Sequence, residues 1–158
     1  MAITAPELPG SSPTVYAGKV YTAASGVLLA LDPISGSIIW QLNTNAGSAS
    51  PPVAGDGLIF SANSNGDLDA YDAGTGAQKW SLGALSSNGN YKYTSSIQPT
   101  FSNGTLYFGS ADGYINAIDA STGQSKWSFL TAGQALSGPC ILDLSGKVHH
   151  PVASGDQQ

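Results

Sequence analysis

Residues 70–80 read Ala-Tyr-Asp-Ala-Gly-Thr-Gly-Ala-Gln-Lys-Trp, and this stretch decides the fold because the chain carries its pattern three times. Residues 30–40 and 117–127 follow the same pattern, Ala-x-Asp-x-x-(Ser/Thr)-Gly-x-x-x-Trp. The positions shared by the three copies are Ala30, Asp32, Gly36, Trp40, Ala70, Asp72, Gly76, Trp80, Ala117, Asp119, Gly123 and Trp127. Such self-similarity is typical of repeat architectures, in which each unit packs against its neighbours. We therefore expect these shared residues to serve the repeated unit and not a ligand.

Each copy predicts four short strands. In the second copy the strand-forming runs lie near residues 52–54, 58–62, 67–72 and 77–82, with turn-forming residues between them. A four-stranded unit that recurs about every 40 residues is typical of a propeller blade. The motif Asp can accept backbone N–H groups, its Gly can supply a positive φ, and its Trp is expected to be largely buried between blades. The sequence therefore predicts an all-β chain of four-stranded antiparallel blades.

The predicted boundaries follow the repeat. They comprise an N-terminal tail at 1–12, then blades at 13–46, 47–96 and 97–134 and a partial blade at 135–158. The fourth copy stops before its motif, so we expect a partial propeller that either forms part of a longer ring or self-associates through exposed blade flanks.

Composition restricts the possible partners. The chain has 20 Gly and 9 Pro, only 9% charged residues, and a net charge of -5 with five lysines and no arginine. No basic stripe exists to neutralise phosphates, so nucleic acid is not an expected partner. The sequence has no apolar run long enough for a membrane helix and no export-signal pattern near Met1. Cys140 is the only cysteine, and we interpret it as a small buried apolar group.

The triple motif resembles the tryptophan-docking motif of the pyrroloquinoline-quinone (PQQ) repeat propellers. That family includes quinoprotein alcohol dehydrogenases and outer-membrane assembly lipoproteins of the BamB type, and the resemblance covers about residues 13–155. It implies a propeller fold and a periplasmic or extracellular location. Because the family contains both enzymes and scaffolds, the resemblance leaves function open.

The clearest departure from the repeat is an insertion at 83–96. Trp40 and Trp80 are 40 residues apart, whereas Trp80 and Trp127 are 47 apart. The inserted segment joins an outermost strand to the next innermost strand, and such connections commonly carry ligands. It is either a tolerated insertion or a binding loop, whose candidate residues are Asn88, Asn90, Tyr91, Lys92 and Tyr93.

Three weaker patterns have ordinary structural explanations. Residues 63–69 alternate oxygen-bearing side chains like a calcium loop but lack its later Glu, and they coincide with the hairpin that every blade shares. His149 and His150 are adjacent and would point to opposite faces of a strand, which is poor chelating geometry. Asn103 begins a glycosylation sequon within a blade turn. We therefore predict no metal site.

The sequence predicts no catalytic residues. Glu7 is the only Glu, and the cysteine pair and calcium ligands of the dehydrogenases that the chain resembles are not present. We therefore expect a non-catalytic scaffold that binds a protein, peptide or saccharide on one loop face, with no cofactor. The alternative is a piece of a PQQ-dependent quinoprotein dehydrogenase whose active site lies elsewhere, and only that alternative implies PQQ and calcium. The expected inner-strand residues 53–54 and 100–101 offer neither carboxylate nor amide ligands.

Overall fold

The computed structural model describes residues 11–24, 26–44, 50–63, 66–83, 98–110 and 113–131. Within these ranges the chain forms three four-stranded antiparallel sheets, each a simple meander in chain order. The strands are β1 (Thr14–Tyr16), β2 (Lys19–Ala24), β3 (Val27–Leu31), β4 (Ile38–Asn43), β5 (Val53–Gly55), β6 (Leu58–Ala62), β7 (Leu68–Asp72), β8 (Gln78–Leu82), β9 (Thr100–Ser102), β10 (Thr105–Gly109), β11 (Tyr114–Asp119) and β12 (Ser125–Leu130). The predicted all-β blade architecture is confirmed. We name β1–β4 blade 1, β5–β8 blade 2 and β9–β12 blade 3.

The first two strands of each blade are joined by a tight turn with a left-handed backbone. Ala17, Asp56 and Asn103 have φ values of 47°, 49° and 46°, and each is followed by a glycine with positive φ. Two successive residues with positive φ are typical of the type I′ turn, whose twist matches that of the strands it joins. Asn and Asp tolerate this conformation better than Ala does.

The blades are ordered around an inner edge formed by their first strands. Strands β1 and β5 contact each other, as do β5 and β9. The Gly57 N–H donates to the Tyr16 hydroxyl across the first of these contacts at 2.8 Å. The first strand of each blade is therefore the innermost, as in a propeller.

Two apolar cores lie between successive blades. The core between blades 1 and 2 contains Tyr21, Leu28, Ile59 and Tyr71. The core between blades 2 and 3 is centred on residues that include Phe60, Leu68, Leu106, Phe108 and Ile118. Side chains therefore alternate between two neighbouring blades along each strand of blade 2, as the period of a strand requires.

The outer flanks of blades 1 and 3 expose apolar side chains. Val15 of blade 1 is 74% exposed, and Phe129 of blade 3 is 55% exposed. Trp127 is 36% exposed, so the expectation of a largely buried ring is wrong for this copy in the structure. The predicted fourth blade, which would supply its docking surface, lies outside the described residues.

No helix within the described ranges is long and apolar enough to cross a membrane.

Candidate functional site

The repeated motif builds a turn around one carboxylate oxygen. Asp72 Oδ1 accepts the N–H groups of Gly74 and Thr75 and the Thr75 hydroxyl, each at 3.0 Å. The Thr75 bonds, followed by Lys79, hold the pKa of Asp72 below its ordinary value. Lys79 Nζ lies 3.2 Å from the other carboxylate oxygen of Asp72. These contacts are all internal to the turn, so this Asp is placed to shape the backbone.

The same turn recurs in blades 1 and 3. Asp32 accepts the N–H groups of Ile34 and Ser35 at 3.0 and 2.7 Å. Asp119 accepts the Ser121 hydroxyl at 2.6 Å, and this bond is the main cause that lowers the pKa of Asp119 to about 2. The turn chemistry is therefore common to the three described blades.

The motif tryptophan links each blade to the next. The Trp40 indole N–H donates to the Ala73 carbonyl at 3.2 Å, and the Trp80 indole N–H donates to the Ala120 carbonyl at 2.9 Å. Both rings are half-buried. The motif residues thus form a repeated joint between blades.

Antiparallel strands divide the connections between two faces. The Thr44 N–H donates to the Gly26 carbonyl at 2.7 Å, so the end of β4 lies beside the β2–β3 hairpin. The Ala73 N–H donates to the Gly57 carbonyl at 2.9 Å, so the motif turn lies beside the β5–β6 turn at the other ends of the strands. We call the end of the strands that carries Gly26 and Thr44 the connection face, and the end that carries Gly57 and Ala73 the motif face.

A pocket of about 460 Å³ lies between β4 of blade 1 and blade 2. Leu42, Asn43 and Thr44 line one side, and Asp67 and Asp69 are among the residues of the other side. Thr44 and Asp67 belong to the connection face, whereas Gly76, which also lines the pocket, belongs to the motif turn of blade 2. The pocket therefore runs along the groove between the two blades.

Asp69 is the most deeply buried carboxylate of this pocket, with 5% of its surface exposed. The Tyr71 hydroxyl donates to Asp69 Oδ2 and the Gln78 amide donates to Asp69 Oδ1, both at 3.2 Å. Burial, and then the negative charge of Asp69, raise the pKa of Tyr71, so the phenol keeps its proton and can donate. A carboxylate held by neutral donors at a pocket wall can accept further hydrogen bonds from a ligand.

The candidate residues of the insertion lie outside the described residues. They are Asn88, Asn90, Tyr91, Lys92 and Tyr93. The His149–His150 pair lies outside the described residues as well.

Of the segment with a calcium-like pattern, residues 64 and 65 lie outside the described residues, and the flanking Asn63 and Asp67 bond to each other. The Asn63 amide donates to Asp67 Oδ2 at 3.0 Å, and the Asp67 N–H donates to Asn63 Oδ1 at 3.0 Å. Within the described ranges no three His, Cys, Asp or Glu side chains are grouped as a metal site would need.

The pocket around Asp69 is not among the features predicted from the sequence. The sequence does contain a signal for it, because Asp69 occupies the place of Leu29 in blade 1 and Asn116 in blade 3 and so breaks the repeat.

The inner strands do not fit a quinone cofactor held by a metal. Strands β1, β5 and β9 have the sequences Thr-Val-Tyr, Val-Ala-Gly and Thr-Phe-Ser. None of these three strands carries a carboxylate or amide side chain, the ligand types that the PQQ-dependent alternative requires. The described blades therefore give no basis for a reaction step through that cofactor.

Three four-stranded blades, arranged around their first strands and joined by docked tryptophans, define a repeat β-propeller of the PQQ-like class. The family model described as "Outer membrane protein assembly factor BamB" matches residues 4–149 of this chain. The chain belongs to this family.

Individual relatives match this chain at low sequence identity or over only part of its length. The outer membrane protein assembly factor BamB of Moranella endobia (strain PCIT) is 33% identical over 70 residues, which cover 44% of this chain and 18% of the relative. The crystal structure of BamB from Moraxella catarrhalis superposes with a TM-score of 0.60 at 23% identity, over 72% of this chain and 33% of that one. The quinohemoprotein alcohol dehydrogenase of Comamonas testosteroni superposes with a TM-score of 0.62 at 25% identity, over 75% of this chain and 20% of that one. The matched segment thus spans a third or less of each of these proteins.

Proposed function

We propose that this chain is a non-catalytic propeller scaffold that binds a protein partner during assembly of outer membrane proteins. The observation that carries the proposal is the match of the BamB family model to residues 4–149. The name of that family supplies the class of partner, and we propose the periplasmic or extracellular location that the family resemblance implies. The matched relatives are longer than this chain. The proposal therefore covers only the part of the assembly role that blades 1, 2 and 3 can perform.

We assign partner binding to the connection face. The motif face is built from Asp-centred turns whose polar groups bond within each turn, as at Asp72 and Asp119. The connection face instead carries Asn43 at the end of β4 and Thr44 directly after it, both of which line the polar pocket. Links between elements tolerate variation, and for this reason they carry binding functions on rigid scaffolds.

The alternative is a piece of a PQQ-dependent dehydrogenase, and likeness to the Comamonas testosteroni enzyme supports it at the level of the fold. The inner strands argue against it, since β5 and β9 carry Val, Ala, Gly, Thr, Phe and Ser. These side chains include no carboxylate or amide for a metal-bound quinone. We therefore propose that the chain needs no cofactor.

Site-specific photo-crosslinking tests the docking proposal. A benzophenone amino acid would replace Asn43, which is exposed at the connection face, or Ala77, which is exposed at the motif face. Each variant would be irradiated with detergent-solubilised outer membranes of a Gram-negative bacterium, and the products would be identified by mass spectrometry. We expect an outer membrane protein or an assembly component to crosslink from position 43 and not from position 77. Equal products from both positions, or none, would overturn the proposal.

Calorimetric titration with PQQ and calcium tests the alternative independently. The scaffold proposal predicts no heat of binding beyond dilution. Saturable, calcium-dependent binding of PQQ would instead support the dehydrogenase.

A further inference from the structure

We propose that the pocket between blades 1 and 2 binds a small organic cation, an alkylammonium or guanidinium group, through the carboxylate of Asp69. This inference goes beyond the docking role, because the pocket is formed by this chain alone and needs no protein partner to complete it. The two proposals can therefore fail separately.

A change in side-chain size between blades lies next to Asp69. Ser61 pairs with Asp69 across β6 and β7, and the equivalent pair in blade 3 is Phe108 with Asn116. The Phe108 ring is fully buried in the core between blades 2 and 3. Blade 2 has a serine at this place, so the volume that a phenyl ring fills at the next interface is not filled by this side chain. We therefore expect more room beside Asp69 than beside Asn116.

Ser61 also points to the side of the sheet on which the pocket lies. Its neighbour Ile59, two residues earlier on β6, belongs to the core between blades 1 and 2. Because side chains alternate along a strand, Ser61 faces blade 1 as Ile59 does, and so does its cross-strand partner Asp69. The two side chains therefore lie next to each other on the side of blade 2 that faces blade 1, and Asp69 is the one that lines the pocket.

Two buried hydroxyl groups near the end of β6 have no hydrogen-bond partner within the described residues. They are those of Ser61 and Ser50, which are 2% and 4% exposed. Ser50 adjoins the end of β6, since its N–H donates to the Ala62 carbonyl at 3.2 Å. A buried polar group without a partner costs free energy, so the Ser61 hydroxyl next to Asp69 points to a polar ligand or to bound water near this carboxylate. The charge of Asp69 decides the charge of that ligand.

Asp69 accepts hydrogen bonds only from neutral groups among its described contacts, namely the Tyr71 hydroxyl and the Gln78 amide. The two ion pairs seen within the described blades, Lys79 with Asp72 and Lys126 with Asp119, belong to the motif turns. A buried carboxylate is normally paired with a cation or saturated with hydrogen bonds. An ammonium or guanidinium group would supply both the opposite charge and the missing donors.

The size and lining of the pocket favour an organic cation over a metal ion. A volume of about 460 Å³ accommodates several carbon atoms beyond the charged group. Leu42 and Gly76 give the lining an apolar part against which a methylene chain can pack. Asp67 adds a second carboxylate to the same lining and so increases its negative potential.

Titration of the full chain with agmatine tests the proposal, because this probe carries a guanidinium and an ammonium group on a four-carbon stem. Binding would be followed by amide NMR shifts and by calorimetry at low salt. We expect saturable shifts centred on Asp69, Tyr71 and Gln78, and weaker binding at high salt because ions screen the charges. 1,5-Pentanediol, a neutral chain of similar length, and glucose should not produce the same shifts.

Three variants distinguish the effect of the Asp69 charge on agmatine binding from the effect of the space beside it. Asp69→Asn should weaken agmatine binding by at least about tenfold, because it removes the charge and keeps the shape. Ser61→Phe should weaken binding by placing the ring found at Phe108 next to Asp69, while both carboxylates are retained. Asp56→Asn, an equal change of charge at an exposed turn of the motif face, should leave affinity unchanged.

The amide spectrum and the unfolding midpoint of each variant would show whether it remains folded, and Asp67→Asn provides a second charge variant if Asp69→Asn does not fold. Absence of saturable agmatine binding would overturn the proposal. So would equal affinity in Asp69→Asn and the parent chain, equal binding of glucose, or calcium that produces the same shifts more strongly than agmatine.

Discussion

The Trp80 ring lies directly over Gly123 of the following blade, so close that a Cβ atom at Gly123 would stand 3.0 Å from the ring. The motif Trp of one blade and the motif Gly of the next are therefore two halves of one joint. Trp40 and Gly76 form the same joint one blade earlier, also at 3.0 Å. This joint explains why both residues recur together, and it makes the repeat testable by mutation.

Removal of the Trp80 ring should destabilise the chain strongly. The ring packs on Gly123 and near Phe60, and its N–H donates to Ala120. Trp80→Ala should lower the free energy of unfolding by about 3 kcal/mol, toward the low end for a lost aromatic side chain because the ring is only half-buried. Trp80→Phe, which keeps a ring and loses the donor, should cost about 1–2 kcal/mol. Urea denaturation would measure both changes, and an unchanged midpoint for Trp80→Ala would contradict the joint.

Gly123→Ala should be more destabilising than Gly36→Ala. Both glycines have a left-handed backbone, with φ values of 73° and 69°, so alanine costs roughly 1 kcal/mol at either position. Gly123 additionally lies under Trp80, whereas an added Cβ at Gly36 would meet no atom within 4 Å. We expect a difference of about 1 kcal/mol between the two variants in the free energy of unfolding. Equal losses in the free energy of unfolding for the two variants would show that the Trp80 ring moves aside at no cost in free energy.

Ala17→Asn should stabilise the chain. Ala17 has a φ of 47°, and its counterparts with the same geometry are Asp56 and Asn103. Asparagine accepts the left-handed conformation better than alanine, so the free energy of unfolding should rise by about 0.5–1 kcal/mol. Ala17→Val should have the opposite effect because a β-branched side chain is disfavoured at positive φ. Thermal unfolding of the two variants would check the signs, and a lower midpoint for Ala17→Asn would contradict the assigned turn.

The Asp119 carboxylate stabilises the turn in blade 3, and this contribution to stability should be lost only in strong acid. The pKa of Asp119 is lowered to about 2, first by the Ser121 hydroxyl, whereas an unfolded Asp has a pKa of about 3.9. Because the folded pKa is the lower one, the contribution is present above about pH 4 and is lost as the pH falls toward 2. Carboxyl NMR of Asp119 would measure its pKa, and Ser121→Ala should raise it. Titration near pH 4 in the parent chain would contradict the turn geometry.

The sequence determined the parts of this protein that depend on local chemistry. Three copies of the Asp, Gly and Trp pattern predicted antiparallel four-stranded blades, because turn residues and alternating side chains act within a few positions of each other. The structure confirms that architecture and adds how Trp80 meets Gly123. The candidate loop at 88–93 and the predicted partial fourth blade lie outside the described residues and stay predictions.

Only the tertiary structure decided where the pocket beside Asp69 lies. Ser61 and Asp69 of blade 2 can be seen in the sequence to differ from Phe108 and Asn116 of blade 3, but the difference matters only where a second surface faces them. That surface is the end of β4, with Leu42 and Asn43, which belongs to another blade. A cavity is a property of two packed surfaces, so the pattern within one blade cannot reveal it. The partly exposed Trp127 is a second example. The local motif fixes the direction of a tryptophan side chain, but the packing of the neighbouring blade decides how far the ring is buried.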